Sequence, residues 1–135
     1  MGRSRQTLSA SEIAEMNRRA IARFGGDYTP VNDNLRSPGS LEAMLEECQG
    51  SLFGWERYPS VIDKAAMIGW RIIKGHLFHD GNKRTGYQAC RIMLQLHGYD
   101  LPFTEAVEAL LLAIADSDVS LDDFTAWLGH TAVRL

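Results

Sequence analysis

Hydrophobic positions recur at helical spacing along most of this chain, in segments separated by short stretches rich in Gly, Pro, Ser and Asp. Ser9-Ala10-Ser11-Glu12 has the form of a capping box, and Ile13, Met16, Ala20 and Phe24 follow at roughly helical intervals. A first helix is therefore predicted over about residues 10 to 24, ending at Gly25-Gly26, where glycine accepts the left-handed cap conformation. From Asp27 to Gly39 the period dissolves into turn formers, which predicts a flap loop or short hairpin. A loop of this length in a small domain is commonly functional. Ser40 is placed to cap a second helix carrying Leu41, Met44, Leu45 and Cys48 and stopping near Gly50. Ser51 to Pro59 reads as a connector whose Phe53, Trp55 and Tyr58 dock on the core; the alternative is an aromatic platform for a nucleotide base. Ser60 with Asp63 caps a strongly apolar helix through Ile62, Ala65, Ala66, Ile68, Gly69, Ile72 and Ile73, which ends at Lys74-Gly75. The pattern resumes after Lys83 with Gly86, Ala89, Cys90, Met93, Leu94 and Leu96, as far as Gly98. Thr104 caps a helix to about Asp116, and Ser120 with Asp123 starts a last one ending at Gly129. No strand pattern stands out beyond the flap, so the expected fold is all-α, a helical bundle of about six helices.

Composition narrows the class. With 135 residues, 45% of them hydrophobic, the chain suits a single domain over residues 1–135 with one core. A net charge of −3 offers no global basic field, which disfavours nucleic acid as a partner. No run of about 18 apolar residues exists to span a membrane, and no apolar run follows Arg3 and Arg5 as in a signal peptide, so a cytoplasmic protein is expected. Cys48 and Cys90 fit no metal spacing and read as reduced packing residues.

The chemistry is concentrated between the two most apolar helices, in His76-Leu77-Phe78-His79-Asp80-Gly81-Asn82-Lys83-Arg84-Thr85. This segment reads as a loop that opens a helix, where the first backbone N–H groups lack partners and attract phosphate. Gly81 lets backbone approach a ligand, Asn82 offers an amide, Lys83 an ammonium and Arg84 a two-pronged guanidinium. Cations in a first helical turn oppose the helix dipole, which favours a bound anion over a merely solvated helix start. Asp80 is placed to hold Mg²⁺, which prefers one or two carboxylates plus phosphate oxygens. A histidine can take a proton from an attacking hydroxyl, which makes His76 the natural general base. Either histidine taken alone would more often be a packing or capping residue; the convergence of roles in one segment points to a phosphate-handling site. The role of His79 stays open.

The run from His76 to Arg84 resembles the signature His-x-Phe-x-Asp/Glu-Gly-Asn-x-Arg of the Fic/Doc superfamily. Further similarity to its death-on-curing branch lies in Arg23-Phe24-Gly25-Gly26, in Leu35 to Leu45 with Pro38-Gly39, and in Tyr58-Pro59-Ser60 leading into Lys64-Ala65-Ala66. The resemblance implies the Fic helical fold, ATP with Mg²⁺, and modification of a protein hydroxyl. It makes His76 the base, Asp80 the metal ligand, and Gly81, Asn82, Lys83 and Arg84 the phosphate grip, with Lys74 where the toxins often carry an arginine. Arg36, Ser37, Pro38 and Gly39 fall on the flap that docks the target. Fic adenylyltransferases usually carry glycine at the place of Lys83 and a second arginine at the place of Tyr87. Both departures look like the death-on-curing branch, whose members transfer the γ-phosphate of ATP to elongation factor Tu and are held inactive by an antitoxin; Gly81 departs from that branch's alanine. The self-inhibiting Fic motif is matched by Ser11 to Glu15 but not by Met16, which implies restraint in trans. Adenylyl transfer is the alternative reaction. A His-Asp metal phosphohydrolase, using His76, His79 and Asp80 with His97 or Asp100, is a more distant one. A catalytically silent binding protein is a third, against which the retained His76 argues.

Overall fold

Four helices begin on a hydroxyl that accepts the backbone N–H three residues on. These are Ser9 from Glu12 (3.2 Å), Ser60 from Asp63 (3.0 Å), Thr104 from Val107 (3.2 Å) and Ser120 from Asp123 (3.0 Å). They open α1 (Ala10–Phe24), α3 (Val61–Lys74), α5 (Glu105–Asp116) and α6 (Leu121–Thr131) in a computed structural model that describes residues 7–52 and 54–135. Glu12 and Asp63 also accept the N–H of their cap residues, completing two capping boxes. The remaining helices, α2 (Ser40–Gln49) and α4 (Asn82–Gln95), begin instead on left-handed glycines, Gly39 and Gly81, without a side-chain cap. Ser40 is thus not a cap: it is already helical, and its hydroxyl donates to the Ser37 carbonyl at 2.9 Å.

Among the described residues the architecture is the expected six-helix, mostly α fold. Two short antiparallel pairs add to it, β1 (Ser51–Leu52) with β2 (Trp55–Glu56) and β3 (Tyr99–Asp100) with β4 (Val133–Arg134). Two-residue strands give no alternation long enough to register in a hydrophobic pattern. The connector departs from expectation at Trp55, which is 78% exposed on its hairpin, while Tyr58 packs against the core; Phe53 lies outside the described residues.

Helix α3 is central and touches α2, α4, α5 and α6, with Ala65, Ala66, Met67, Ile68, Ile72 and Ile73 buried. Its closest approach is to α4, where two glycines face each other. A Cβ on Gly86 would lie 2.6 Å from Ile73 Cγ1 and 2.9 Å from the Gly69 carbonyl oxygen. Without side chains at this crossing the two backbones approach closely, and the C-terminal end of α3 is held against the start of α4. Cys48 and Cys90 are buried free thiols, pushed up by burial to about 11 and about 12, so both remain inert packing groups.

Helix α1 packs on α4 by a different face from the one its apolar stripe suggests. Ile13, Asn17 and Ile21 are buried, whereas Met16, Ala20 and Phe24 line an open groove between α1, α4 and α5. A polar residue in the middle of the true core stripe disguises the pattern. No helix among the described residues is long and apolar enough to cross a membrane.

Gly86→Ala should destabilise the fold by about 1 to 3 kcal/mol through overpacking against Ile73 and the α3 backbone, measured by thermal or urea denaturation. Gly98→Ala in the open turn after α4, with nothing near its added methyl but φ of +86°, should cost only the backbone strain.

Candidate active site

The link between α3 and α4 is built from two helix-terminal motifs. At the end of α3 the His76 N–H donates to the Ile73 carbonyl and the Leu77 N–H to the Ile72 carbonyl, both at 3.3 Å. This is the Schellman pattern, with Gly75 as cap and His76 at the left-handed position that glycine usually fills. His76 has φ of +46° and is exposed, so the motif turns its imidazole out of the bundle at a steric cost. Phe78, fully buried, anchors the loop two residues later.

The start of α4 is an uncapped helix terminus. Gly81 has φ of +77° and supplies no side chain, and the first ladder bond runs from Thr85 N–H to the Gly81 carbonyl. The N–H groups of Asn82, Lys83 and Arg84 precede that ladder, and the first turn contains no acidic residue. Lys83 and Arg84 are exposed there, facing the groove. The Arg84 guanidinium lies over the Phe24 ring at 3.5 Å from its centroid, with Arg23 at 5.2 Å from the same ring. Phe24 thus serves as a platform for the arginine.

Asp80 sits between these motifs. One carboxylate oxygen accepts the Asp27 N–H and the other the Gly81 N–H, each at 2.9 Å. These bonds, Asp27 first, with the positive charge of Lys83, hold its carboxyl below the usual carboxylate range against the opposing effect of burial. An ionised carboxylate with lone pairs to spare, next to an uncapped helix start, could hold Mg²⁺ if a phosphate supplied the remaining oxygens. Among the described residues no group of three or more His, Cys, Asp or Glu could cage a metal ion without such a ligand. Asp100, one candidate for a phosphohydrolase ligand, is engaged by Arg91 at 2.8 Å.

Two residues expected in the phosphate grip have other tasks. Asn82 bonds the Phe78 backbone with both ends of its amide, accepting from N–H and donating to C=O at 2.9 Å each. It braces the loop, leaving one amide hydrogen to a ligand. Lys74 donates to the Ser117 carbonyl at 2.9 Å, tying α3 to the end of α5, and so does not join the cluster. His79 is exposed, and its N–H is bonded to the Asn34 carbonyl at 2.9 Å.

The flap is no hairpin. It is a 3-10 turn over Val31–Asn34 followed by a single bridge between Leu35 and Phe78, with the Arg36 N–H donating to the Leu77 carbonyl at 2.9 Å. Arg36, Ser37, Pro38 and Gly39 follow this bridge on the surface beside the loop that carries His76.

Sequence reasoning passed over Asn17 and Asn34, both fully buried. Asn17 donates to the Asp80 carbonyl (2.9 Å) and the Thr85 hydroxyl (3.1 Å) and accepts from Asn34 Nδ2 (3.0 Å). The available signal was position: Asn17 lies four residues from both Ile13 and Ile21, on the stripe those isoleucines define. Gly26 was read only as a helix stop. A Cβ there would meet Asp80 Oδ2 at 2.8 Å, so it also makes room for the carboxylate.

A histidine on a strained turn, a carboxylate held below its usual range and an uncapped cationic helix start together form one candidate group-transfer site on a helical fold. The match is to a known one: residues 7–94 fit the Fic/DOC family model, and the chain belongs to that family. It is 32% identical over 112 residues to a protein named Toxin Doc from Mycolicibacterium smegmatis, covering 81% of this chain and 82% of that relative. It is 23% identical over 114 residues to Protein kinase doc of Escherichia phage P1, covering 84% and 86%.

His76→Gly should raise the stability of the fold by about 1 kcal/mol in denaturation experiments, since glycine adopts this conformation without the Cβ clash. The Asp80 carboxyl should titrate below its ordinary value of about 3.9, read from the Asp27 and Gly81 amide shifts by NMR. Because its folded pKa is depressed, the stability it contributes is present above the unfolded value and disappears as pH falls through the folded one.

Proposed function

We propose that this chain transfers the γ-phosphate of ATP to a hydroxyl of a protein and acts as the toxin of a toxin–antitoxin pair. The observation that carries the reading is the cationic, uncapped start of α4 beside His76 and Asp80, combined with Tyr87 where an adenylyltransferase has its second arginine. The Tyr87 hydroxyl donates to the Leu101 carbonyl at 2.6 Å, and its ring meets Phe103 edge-on at 5.3 Å. It therefore fills a structural position and offers no grip on an outer phosphate. The names of the two relatives, a toxin and a protein kinase, support the same reading.

In the reaction, the target hydroxyl gives its proton to the neutral His76 imidazole as its oxygen bonds to the γ-phosphorus. The bond from that phosphorus to the β,γ-bridging oxygen breaks, and ADP leaves with the electron pair. The N–H groups at the start of α4, with Lys83 and Arg84, balance the charge of the phosphates. Asp80 would hold Mg²⁺, which supplies further neutralisation when bound. The target that the resemblance brings is elongation factor Tu, presented on the flap at residues 36–39, in the cytoplasm. Restraint by an antitoxin segment is supported by the open groove continuous with Lys83 and Arg84. Its surroundings expose Phe24, Phe103 and Leu112 at 52%, 52% and 45%.

Incubation of the purified chain with Mg²⁺, elongation factor Tu and ATP labelled at the α or the γ position should transfer only the γ label. His76→Ala should lower the rate by about 10²-fold or more. Label arriving from the α position alone would instead establish adenylyl transfer.

A further inference from the structure

Three segments far apart in the chain meet at one buried amide. Asn17 of α1 accepts a hydrogen bond from Asn34 of the flap and donates to Asp80 in the catalytic loop and Thr85 of α4. Asn17, Asn34 and Thr85 are all fully buried, and among the described residues no buried side-chain polar atom lacks a partner. The other end of the Asn34 amide accepts the Thr29 N–H at 2.8 Å, so this side chain also organises the flap internally. Backbone bonds complete the unit: His79 N–H to the Asn34 carbonyl, Arg36 N–H to the Leu77 carbonyl, and Asp27 N–H to the Asp80 carboxylate.

Each atom of the Asn17 amide is directional. Its oxygen accepts only from the flap, while its nitrogen donates only to the Asp80–Thr85 turn. A displacement of Asn34 must therefore strand a buried acceptor on Asn17 or rotate its amide away from the Asp80 carbonyl. The flap moreover holds Asn32, Asp33 and Asn34 in succession at positive φ, of 55°, 54° and 66°. Left-handed residues normally occur singly, and such a run persists only where surrounding bonds enforce it.

We infer that Asn17 is a positioning residue that joins the flap and the Asp80–Gly81 turn into one unit, so that its amide, together with the backbone bonds between the two segments, holds a target segment seated on the flap in register with the carboxylate it must face. The inference rests on the reaction proposed above for its kinetic consequence, but the coupling itself does not depend on which group is transferred.

The decisive variant is Asn34→Asp. It tolerates the left-handed backbone and keeps an acceptor for Thr29, but it replaces the donor facing Asn17 with an oxygen. Amide hydrogen exchange should accelerate by about tenfold or more at Gly81, on the far side of Asn17, while amides of α3 keep wild-type protection. Turnover should fall by about tenfold to a hundredfold with the KM for ATP changed by less than about twofold. Thr85→Val, which removes one hydroxyl and buries no charge, serves should Asn34→Asp not fold. It should accelerate exchange at Arg36 and His79 in the flap bridge, and Thr85→Ser should restore protection and turnover. Wild-type exchange at Gly81 in a folded Asn34→Asp, or at Arg36 and His79 in Thr85→Val, overturns the inference. A wild-type chain without transfer activity would remove the proposed reaction and leave the exchange measurements to decide the coupling.

Discussion

The geometry of this site depends on a carboxamide buried where the hydrophobic stripe of α1 would ordinarily place an aliphatic side chain. Asn17 is fully buried beside Ile13 and Ile21, and all of its bonds reach loop or helix-start segments. A leucine there would contribute apolar burial but leave the Asp80 carbonyl, the Thr85 hydroxyl and the Asn34 amide to find other partners in a dry environment. Irregular backbone needs such a group more than helices do, because its polar atoms have no ladder to join. The cost of burying an amide is offset by the order it imposes on segments with little packing of their own.

That order is set against strain. His76 and the three consecutive residues from Asn32 to Asn34 all have positive φ, and all lie within or beside the proposed site, where Gly26 and Gly81 take the same region without a Cβ clash. The support comes from two directions. Below, the glycine-to-glycine crossing of α3 and α4 fixes the helix ends from which the loop departs. Above, the Leu35–Phe78 bridge closes the flap onto that loop, with Phe78 as its buried anchor. A strained turn on rigid supports presents a histidine at a defined position, whereas a relaxed loop would present it at many.

How much of this was legible follows from the range of the forces involved. Capping boxes at Ser9 and Ser60, and the caps at Thr104 and Ser120, are contacts between residues three apart, and all stand where the local pattern puts them. The apolar faces of α3 and α5 were equally plain, since the buried residues on them are hydrophobic apart from Gly69. Helix α1 was legible in extent but not in orientation, because its core stripe passes through an asparagine while Met16, Ala20 and Phe24 mark out a competing apolar line. Ser40 had the right chemistry for a cap, yet the adjacent Gly39 took the cap position in a left-handed conformation. The cluster from His76 to Arg84 was legible as chemistry because its residues are contiguous. The tasks of Asn82 and Lys74 were not, since one is spent on the Phe78 backbone and the other on a carbonyl 43 positions away.

The distribution of positive charge along α4 has a consequence that single residues conceal. Two turns beyond Lys83, Arg91 holds Asp100 with two nitrogens at 2.8 and 3.1 Å, and that contact draws the Asp100 carboxyl down to about 2. The pair therefore stays ionised, and mutually compensated, throughout the neutral range. Between the two sites Tyr87 is neutral: burial raises its pKa, and its hydroxyl is occupied by the Leu101 carbonyl. Among the described residues, the cations on this face of α4 that lie outside ion pairs are thus in its first turn, at Lys83 and Arg84, where the helix dipole adds to them. Beyond the first turn the groove is lined by Tyr87, Phe103 and Leu111 together with Gln88, Arg91 and Glu108, a mixed surface that matches an amphipathic helix face.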